Sequence, residues 1–182
     1  MLELVLMQDV RLRLFEERDA DELYRLIDGN RERLARWMPW ASPQTLDGTR
    51  EFIRRTRRQL ADNDGMQTAL VVVGRIAGVV GVHDISWERG TTSVGYWLGA
   101  EFEGRGAMTA AVRAYADHVF GPWALHRVEL RADVDNARSC AIAERLGFTH
   151  EGVLRSCAPV GDRRRDHAVY SMLASEWTRT TS

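Results

Sequence analysis

Apolar residues recur with two periods along this 182-residue chain, and the switches between them divide it into strands and helices. Val10, Leu12 and Leu14 alternate with Arg11 and Arg13, the pattern of a half-buried strand. Leu23, Leu26 and Ile27, with Tyr24, then follow helical spacing behind Asp19, a candidate N-cap. Residues 30–34 predict a second short helix, and Pro39 interrupts regular structure in Trp37-Met38-Pro39-Trp40. Thr45 or Asp47 starts a helix carrying Phe52, Ile53 and Leu60, which ends near Asn63-Asp64-Gly65. Three strands are predicted next, at 68–73, 76–85 and 91–98, separated by turns at Gly74-Arg75 and Arg89-Gly90. Met108, Ala111, Val112, Tyr115 and Val119 share one face of a helix that Gly121-Pro122 ends. Residues 126–134 read as a buried strand. Asn136 caps a helix closing at Leu146-Gly147, with Gly147 the expected C-cap, and strands at 148–154 and 167–173 follow. A central hairpin run with later crossovers predicts a mixed α/β sheet. The chain has no repeat, low-complexity stretch or linker, so one domain over residues 1–182 is expected.

Composition narrows the class. The chain is 45% hydrophobic and 28% charged, as in soluble globular proteins. Its 25 basic and 26 acidic side chains leave a net charge of -1, so no global field draws it to nucleic acid or an anionic membrane. Arg54-Arg55 and Arg57-Arg58 fit a solvated helix face; Arg163-Arg164-Arg165 fits either such a face or a contact to phosphate or an acidic substrate. Cys140 and Cys157 form no CxxC, and the five histidines form no HxxxH or HExxH pair, so neither a disulfide framework nor a metal is expected. The opening Met1-Leu2-Glu3-Leu4-Val5-Leu6-Met7 is too short and too acidic for a secretory signal. No apolar run approaches the ~20 residues needed to span a bilayer. The expectation is a cytoplasmic protein with no membrane partner.

The segment from Tyr96 to Thr109 carries the chemistry: a strand runs into a glycine turn that opens a helix. Free N–H groups of a first helical turn bind phosphate, and Gly104 and Gly106 let it approach the backbone. A nucleotide P-loop needs a Gly-Lys-Ser/Thr, whereas Gly104 is followed by Arg105-Gly106-Ala107. A Rossmann turn belongs in a βαβ unit, whereas this one follows a hairpin run. A plain structural strand-to-helix turn stays open as the alternative.

Glu103-Gly104-Arg105-Gly106-Ala107-Met108-Thr109 resembles the acyl-CoA pyrophosphate loop of the GNAT N-acetyltransferases. Four further segments resemble the ribosomal-protein (alanine/serine) N-acetyltransferase branch in order and spacing. They are Asn30-Arg31 with Leu34 and Trp37-Met38-Pro39-Trp40; Gly95-Tyr96-Trp97-Leu98; Asp135-Asn136-Ala137-Arg138-Ser139 with Glu144-Arg145-Leu146-Gly147-Phe148; and Glu151-Gly152-Val153-Leu154-Arg155. Together they cover about residues 10–175. The resemblance implies an α/β GNAT fold, with a mixed, mostly antiparallel central sheet flanked by helices. It also implies acetyl-CoA as co-substrate, without a metal.

By the same resemblance, the amides from Gly104 through Ala107 and Met108 to Thr109 hold the CoA pyrophosphate, with the Thr109 hydroxyl as a further donor and Glu103 in the same loop. Arg105 adds charge there, and Trp97, Leu98 and Gly99 pair with the pantetheine arm. A backbone N–H there polarises the acetyl carbonyl. Asn136 contacts the CoA arm and Ser139 is the candidate general acid for the departing thiolate; as Asn-x-x-Ser, the two also read simply as a cap and a first-turn residue. Trp37, Trp40 and His83 are the acceptor-side candidates. The branch pattern places a glutamate near the position of Ala158, which leaves Asp84, Glu88, Glu129, Asp166 and His83 as candidate bases, and Cys140 and Cys157 as incidental. The implied acceptor is a primary amine, either a protein N-terminus or a small molecule, and the implied assembly is a homodimer. Two alternatives remain: a non-catalytic acyl-CoA-binding regulator, motivated by Ala158, and a nucleic-acid module built on Arg163 to Arg165.

Overall fold

The computed structural model describes residues 3–178, so residues 1–2 and 179–182 of the expected domain, with Met1 and Leu2 of the opening segment, lie outside the described residues. Eight strands form one sheet: β1 (Glu3–Met7), β2 (Val10–Leu14), β3 (Met66–Val72), β4 (Arg75–Ser86), β5 (Thr91–Leu98), β6 (Arg127–Asp133), β7 (Thr149–Val160) and β8 (Arg163–Leu173). Their spatial order is β1-β2-β3-β4-β5-β6-β8-β7. All neighbours are antiparallel except β5 and β6. The helices are α1 (Ala20–Gly29), α2 (Arg31–Ala35), α3 (Leu46–Ala61), α4 (Ala107–Phe120) and α5 (Ala137–Arg145). This is the mixed, mostly antiparallel α/β sheet that the sequence implied.

The Tyr115 hydroxyl on α4 lies 3.0 Å from the Thr68 hydroxyl and donates toward the carbonyls of Val80 (3.1 Å) and Met66 (3.2 Å). Thr68, Val80 and Tyr96 are in register across β3, β4 and β5, so their side chains share a face. Tyr96 reaches Ser139 of α5, which puts α4 and α5 on that face. Trp97, pointing the other way, meets Trp40 after α2 with ring centroids 6.0 Å apart. Helices α1–α3 therefore cover the second face over the β2–β4 half.

Local chemistry explains most boundaries. The Thr45 hydroxyl caps α3 by accepting the Gly48 amide at 3.0 Å, and Asn136 Oδ1 caps α5 by accepting the Ser139 amide at 3.3 Å. After α5, Gly147 N–H donates to the Glu144 carbonyl and Phe148 N–H to that of Ala143, each at 3.0 Å, closing the helix as expected.

Three expectations need correction, and one strand was not foreseen. Asp19 makes no side-chain cap for α1; its carboxylate is taken by Arg13 (2.5 and 2.8 Å) and the Glu16 amide (2.8 Å). Arg75 opens β4 rather than sitting in the turn, because the turn is made by Val73 and Gly74 at φ 48° and 74°. Residues 3–7 form β1, with Leu4 and Leu6 packed against the core. The last hairpin is longer than 148–154 and 167–173: β7 and β8 continue to a tip at Gly161-Asp162. β7 lies at the sheet edge and is mostly exposed, so no alternation marks its extension.

Candidate active site

β5 and β6 run parallel but separate early. Thr91, Thr92 and Ser93 pair with Arg127, Val128 and Glu129, and no pairing between the two strands follows, although β5 continues to Leu98 and β6 to Asp133. The result is a wedge whose β5 wall, residues 94–98, presents main-chain groups to any extended amide-bearing chain laid along it.

The glycine turn lies just past the wide end of this wedge. Gly104 and Gly106 sit at φ +76° and +73°, where a side chain is strained, and a Cβ at either would meet nothing within 4 Å. The first main-chain bond into α4 is Ala110 N–H to the Gly106 carbonyl at 3.0 Å. The amides of Ala107, Met108 and Thr109 therefore point forward without intrahelical acceptors. Arginines surround them. Arg105 is exposed and donates to the Glu101 carbonyl at 3.3 Å, and Arg145 donates to the Thr109 hydroxyl at 3.1 Å, leaving that hydroxyl its own proton to donate. Glu103 faces two of them: Arg33 of α2 at 2.6 Å and Arg138 of α5. Arg33 also donates to the Leu98 carbonyl, and Asn30 Oδ1 accepts the Ala100 amide at 2.9 Å. This junction of α1 and α2 thus clasps both ends of the segment joining β5 to α4. A cleft of about 500 Å³ beside it is lined by Glu22, Arg25, Asn30, Arg75 and Glu101 among others.

On the α5 face of the wedge, the Tyr96 hydroxyl lies 3.0 Å from the Ser139 hydroxyl and donates to the Ser139 carbonyl at 3.2 Å. Burial pushes the Tyr96 phenol up to about 12, so it stays protonated at neutral pH. On the opposite face, Trp97 is buried and carries Trp40 against it. The Arg165 guanidinium lies 5.5 Å from the centre of the Trp37 ring, and its Nε meets the buried Asp133 at 2.5 Å. The loop after α2 and the β7–β8 hairpin therefore meet at the wedge, bringing Trp37 and Trp40 beside it. His83 lies on this face too, its ring over Gly95.

The remaining candidates are occupied or remote. Glu129 is bound by Arg127 (3.1 Å) and Arg131 (2.5 Å), and Asp166 accepts the Ser156 amide at 2.7 Å. Asp84 and Glu88 are exposed, the latter in the turn away from the wedge. Ala158 pairs with Arg165 and offers no proton acceptor. Cys140 Sγ lies 3.8 Å from the Asp133 carbonyl and Cys157 is exposed. Among the described residues no group of three or more His, Cys, Asp or Glu is placed to hold a metal. Reading the sequence singled out Asn30 and the Tyr96 strand as motifs but missed the roles of Tyr96, Arg33, Arg138 and Arg145. Arg138 stands within the Asp135–Ser139 motif and Arg33 beside Asn30-Arg31, but no local feature pairs either with Glu103.

The model of the acetyltransferase (GNAT) domain family matches residues 9–149. The chain belongs to the GNAT acetyltransferases. YdaF of Bacillus subtilis (strain 168) is 37% identical over 172 residues, covering 93% of this chain and 94% of that protein. The ribosomal-protein-serine acetyltransferase of Escherichia coli (strain K12) is 25% identical over 167 residues, covering 91% and 93%. Among solved structures, the Microcin C7 self immunity acetyltransferase MccE in complex with acetyl-CoA and AMP superimposes with a TM-score of 0.87 at 29% identity, covering 92% and 94%. This GNAT protein is an acetyl-CoA-dependent N-acyltransferase.

Proposed function

We propose that the chain acetylates the α-amine of a protein N-terminus by direct attack on acetyl-CoA, as a single domain. The observation that supports this is the wedge: it ends at a helix start with free amides, with a hydroxyl pair on one face and an aromatic loop on the other. In this reading the amides of residues 104–109 receive the pyrophosphate, with Arg105 and the Thr109 hydroxyl assisting. Trp97, Leu98 and Gly99 guide the pantetheine by their main chain, and Asn136 borders it. Glu103 acts one step back, holding Arg33 and Arg138 about the turn.

The acceptor enters between Trp37, Trp40 and the hairpin. Its nitrogen bonds to the acetyl carbon, a wedge amide stabilises the oxyanion, and the carbon–sulfur bond breaks. The thiolate takes a proton from Ser139, whose hydroxyl Tyr96 holds. Similarity to a ribosomal-protein-serine acetyltransferase supports a protein acceptor. The same resemblance motivates a cytoplasmic homodimer; among the described residues no helix is long and apolar enough to cross a membrane.

Acetyl-CoA should raise the melting temperature, and thiol release should follow addition of short peptides beginning with serine or alanine. A shift with no product from any peptide or amine identifies a binder instead, and no shift refutes the donor assignment. Light scattering tests the dimer.

A further inference from the structure

Transfer to an amine leaves a proton to be removed, and the carboxylates nearest the wedge are engaged. Asp133 is held by Arg165, Glu129 by Arg127 and Arg131, and Glu151 by Arg127 at 2.6 Å and Ser171 at 2.8 Å. His83 differs from all of them. It pairs with Ser93, the last β5 residue joined to β6, and its ring leans forward over Gly95, two residues into the wedge. A Cβ on Gly95 would lie 2.7 Å from Cε1 and 3.2 Å from Nε2, so the missing side chain is what gives the imidazole its place. Ser93, Gly95 and Trp97 alternate onto one face of β5, so the ring and the Trp40–Trp97 pair share the acceptor side.

Among the described residues neither ring nitrogen has a hydrogen-bond partner, and neither is sealed from solvent. An unpartnered imidazole at the mouth of a reaction cleft has a lone pair to offer.

We propose that His83 accepts the proton from the acceptor amine, and that Gly95 is the positioning residue that sets the ring there. The proposal rests on the acetyl-transfer reading above. Burial lowers the pKa of His83, opposed by Asp84 beside it, so the ring is unprotonated at neutral pH. The charges facing it across the sheet are Glu129 with Arg127 and Arg131 on β6, which largely neutralise one another. As the nitrogen bonds to the acetyl carbon and the carbon–sulfur bond breaks, the N–H proton passes to the free imidazole nitrogen, which releases it to solvent; Ser139 protonates the sulfur on the opposite face and regains its proton from solvent. The ring nitrogens reach solvent, to which the proton leaves.

The test is thiol release with serine- and alanine-initiated peptides by wild type, His83→Ala and Gly95→Ala, with acetyl-CoA binding followed by calorimetry. His83→Ala should bind acetyl-CoA as wild type does and lose ~10²–10³ in kcat, the range general bases contribute. Its acid limb in the pH–rate profile should vanish, and added imidazole should restore part of the rate. Gly95→Ala keeps the histidine but displaces it, and should lose rate with the limb shifted. A His83→Ala rate within threefold of wild type from pH 6 to 9 overturns the proposal. Failure of the transfer reading itself would show separately, as a wild type that binds acetyl-CoA and acetylates nothing.

Discussion

Replacing Gly106 separates the phosphate site from the fold. Gly106 sits at φ +73° as the residue before α4, and a Cβ there meets nothing within 4 Å in the unliganded protein. Any substitution thus costs left-handed strain, ~1–2 kcal/mol, and no clash. Asparagine tolerates that backbone better than most residues. In a protein of this size ~1 kcal/mol lowers Tm by ~2–4 °C, and Gly106→Asn and Gly106→Asp should melt together within that range. Ligand binding should split them. With the pyrophosphate placed on the forward amides as proposed, both variants crowd it, and aspartate adds a charge. Two like charges ~4 Å apart repel by ~1 kcal/mol in water and ~4 kcal/mol at a protein surface. Gly106→Asn should therefore weaken CoA about tenfold, and Gly106→Asp by a further ~10²-fold or more by the conversion of ~1.4 kcal/mol per decade. Titration calorimetry with CoA measures both. Equal affinities for the two variants, or wild-type affinity in Gly106→Asp, would refute the placement of the pyrophosphate on this turn.

Three further outcomes follow from the same contacts. Tyr115→Phe removes a fully buried hydroxyl shared by Thr68 and two carbonyls, and should cost ~1–3 kcal/mol in denaturant unfolding without changing the KM for acetyl-CoA. Tyr96→Phe releases the Ser139 hydroxyl from its partner, so kcat should fall while acetyl-CoA affinity holds; a change in affinity alone would argue that Tyr96 serves the pantetheine instead. Arg127, then Ser171, hold the Glu151 carboxyl down to about 2 from an ordinary 4.5. A carboxyl depressed on folding contributes stability that is present above pH ~4.5 and lost as the pH falls toward ~2. Glu151→Gln should flatten that part of the acid-unfolding curve and leave the curve above pH 6 parallel to wild type.

The parts legible in the sequence are those with a local cause. Alternation at Val10, Leu12 and Leu14, helical spacing from Met108 to Val119, and the Asn136 cap each depend on residues within a turn or two of one another, and each stands where expected. The glycine turn was legible for the same reason, since positive φ at Gly104 and Gly106 selects glycine directly. Misses arose where a distant partner decides. Asp19 is a nearer case: it looks like a cap until Arg13, six residues back in the preceding strand, takes its carboxylate. Edge strand β7 buries too little to enforce a period-2 pattern along its length. At the site, Arg33 and Glu103 lie seventy positions apart, so nothing in the local sequence marks them as a pair. His83 was one of five loosely supported bases on sequence; only the register that brings it over Gly95 sets it apart.

That long-range clasp ties the glycine turn to the aromatic loop. α2 is five residues long, well below the length at which a helix is stable in isolation, so its place is fixed by what its side chains hold. Arg31 reaches forward to the carbonyls of Ala41 (2.8 Å) and Ser42 (2.9 Å), fixing the far end of the loop that carries Trp37 and Trp40. Two residues on, Arg33 reaches across to Glu103 and the Leu98 carbonyl, at the two ends of the link between β5 and the phosphate turn. One short helix thus positions the aromatic loop and braces the turn. The two arginines thus couple the position of the loop to that of the turn.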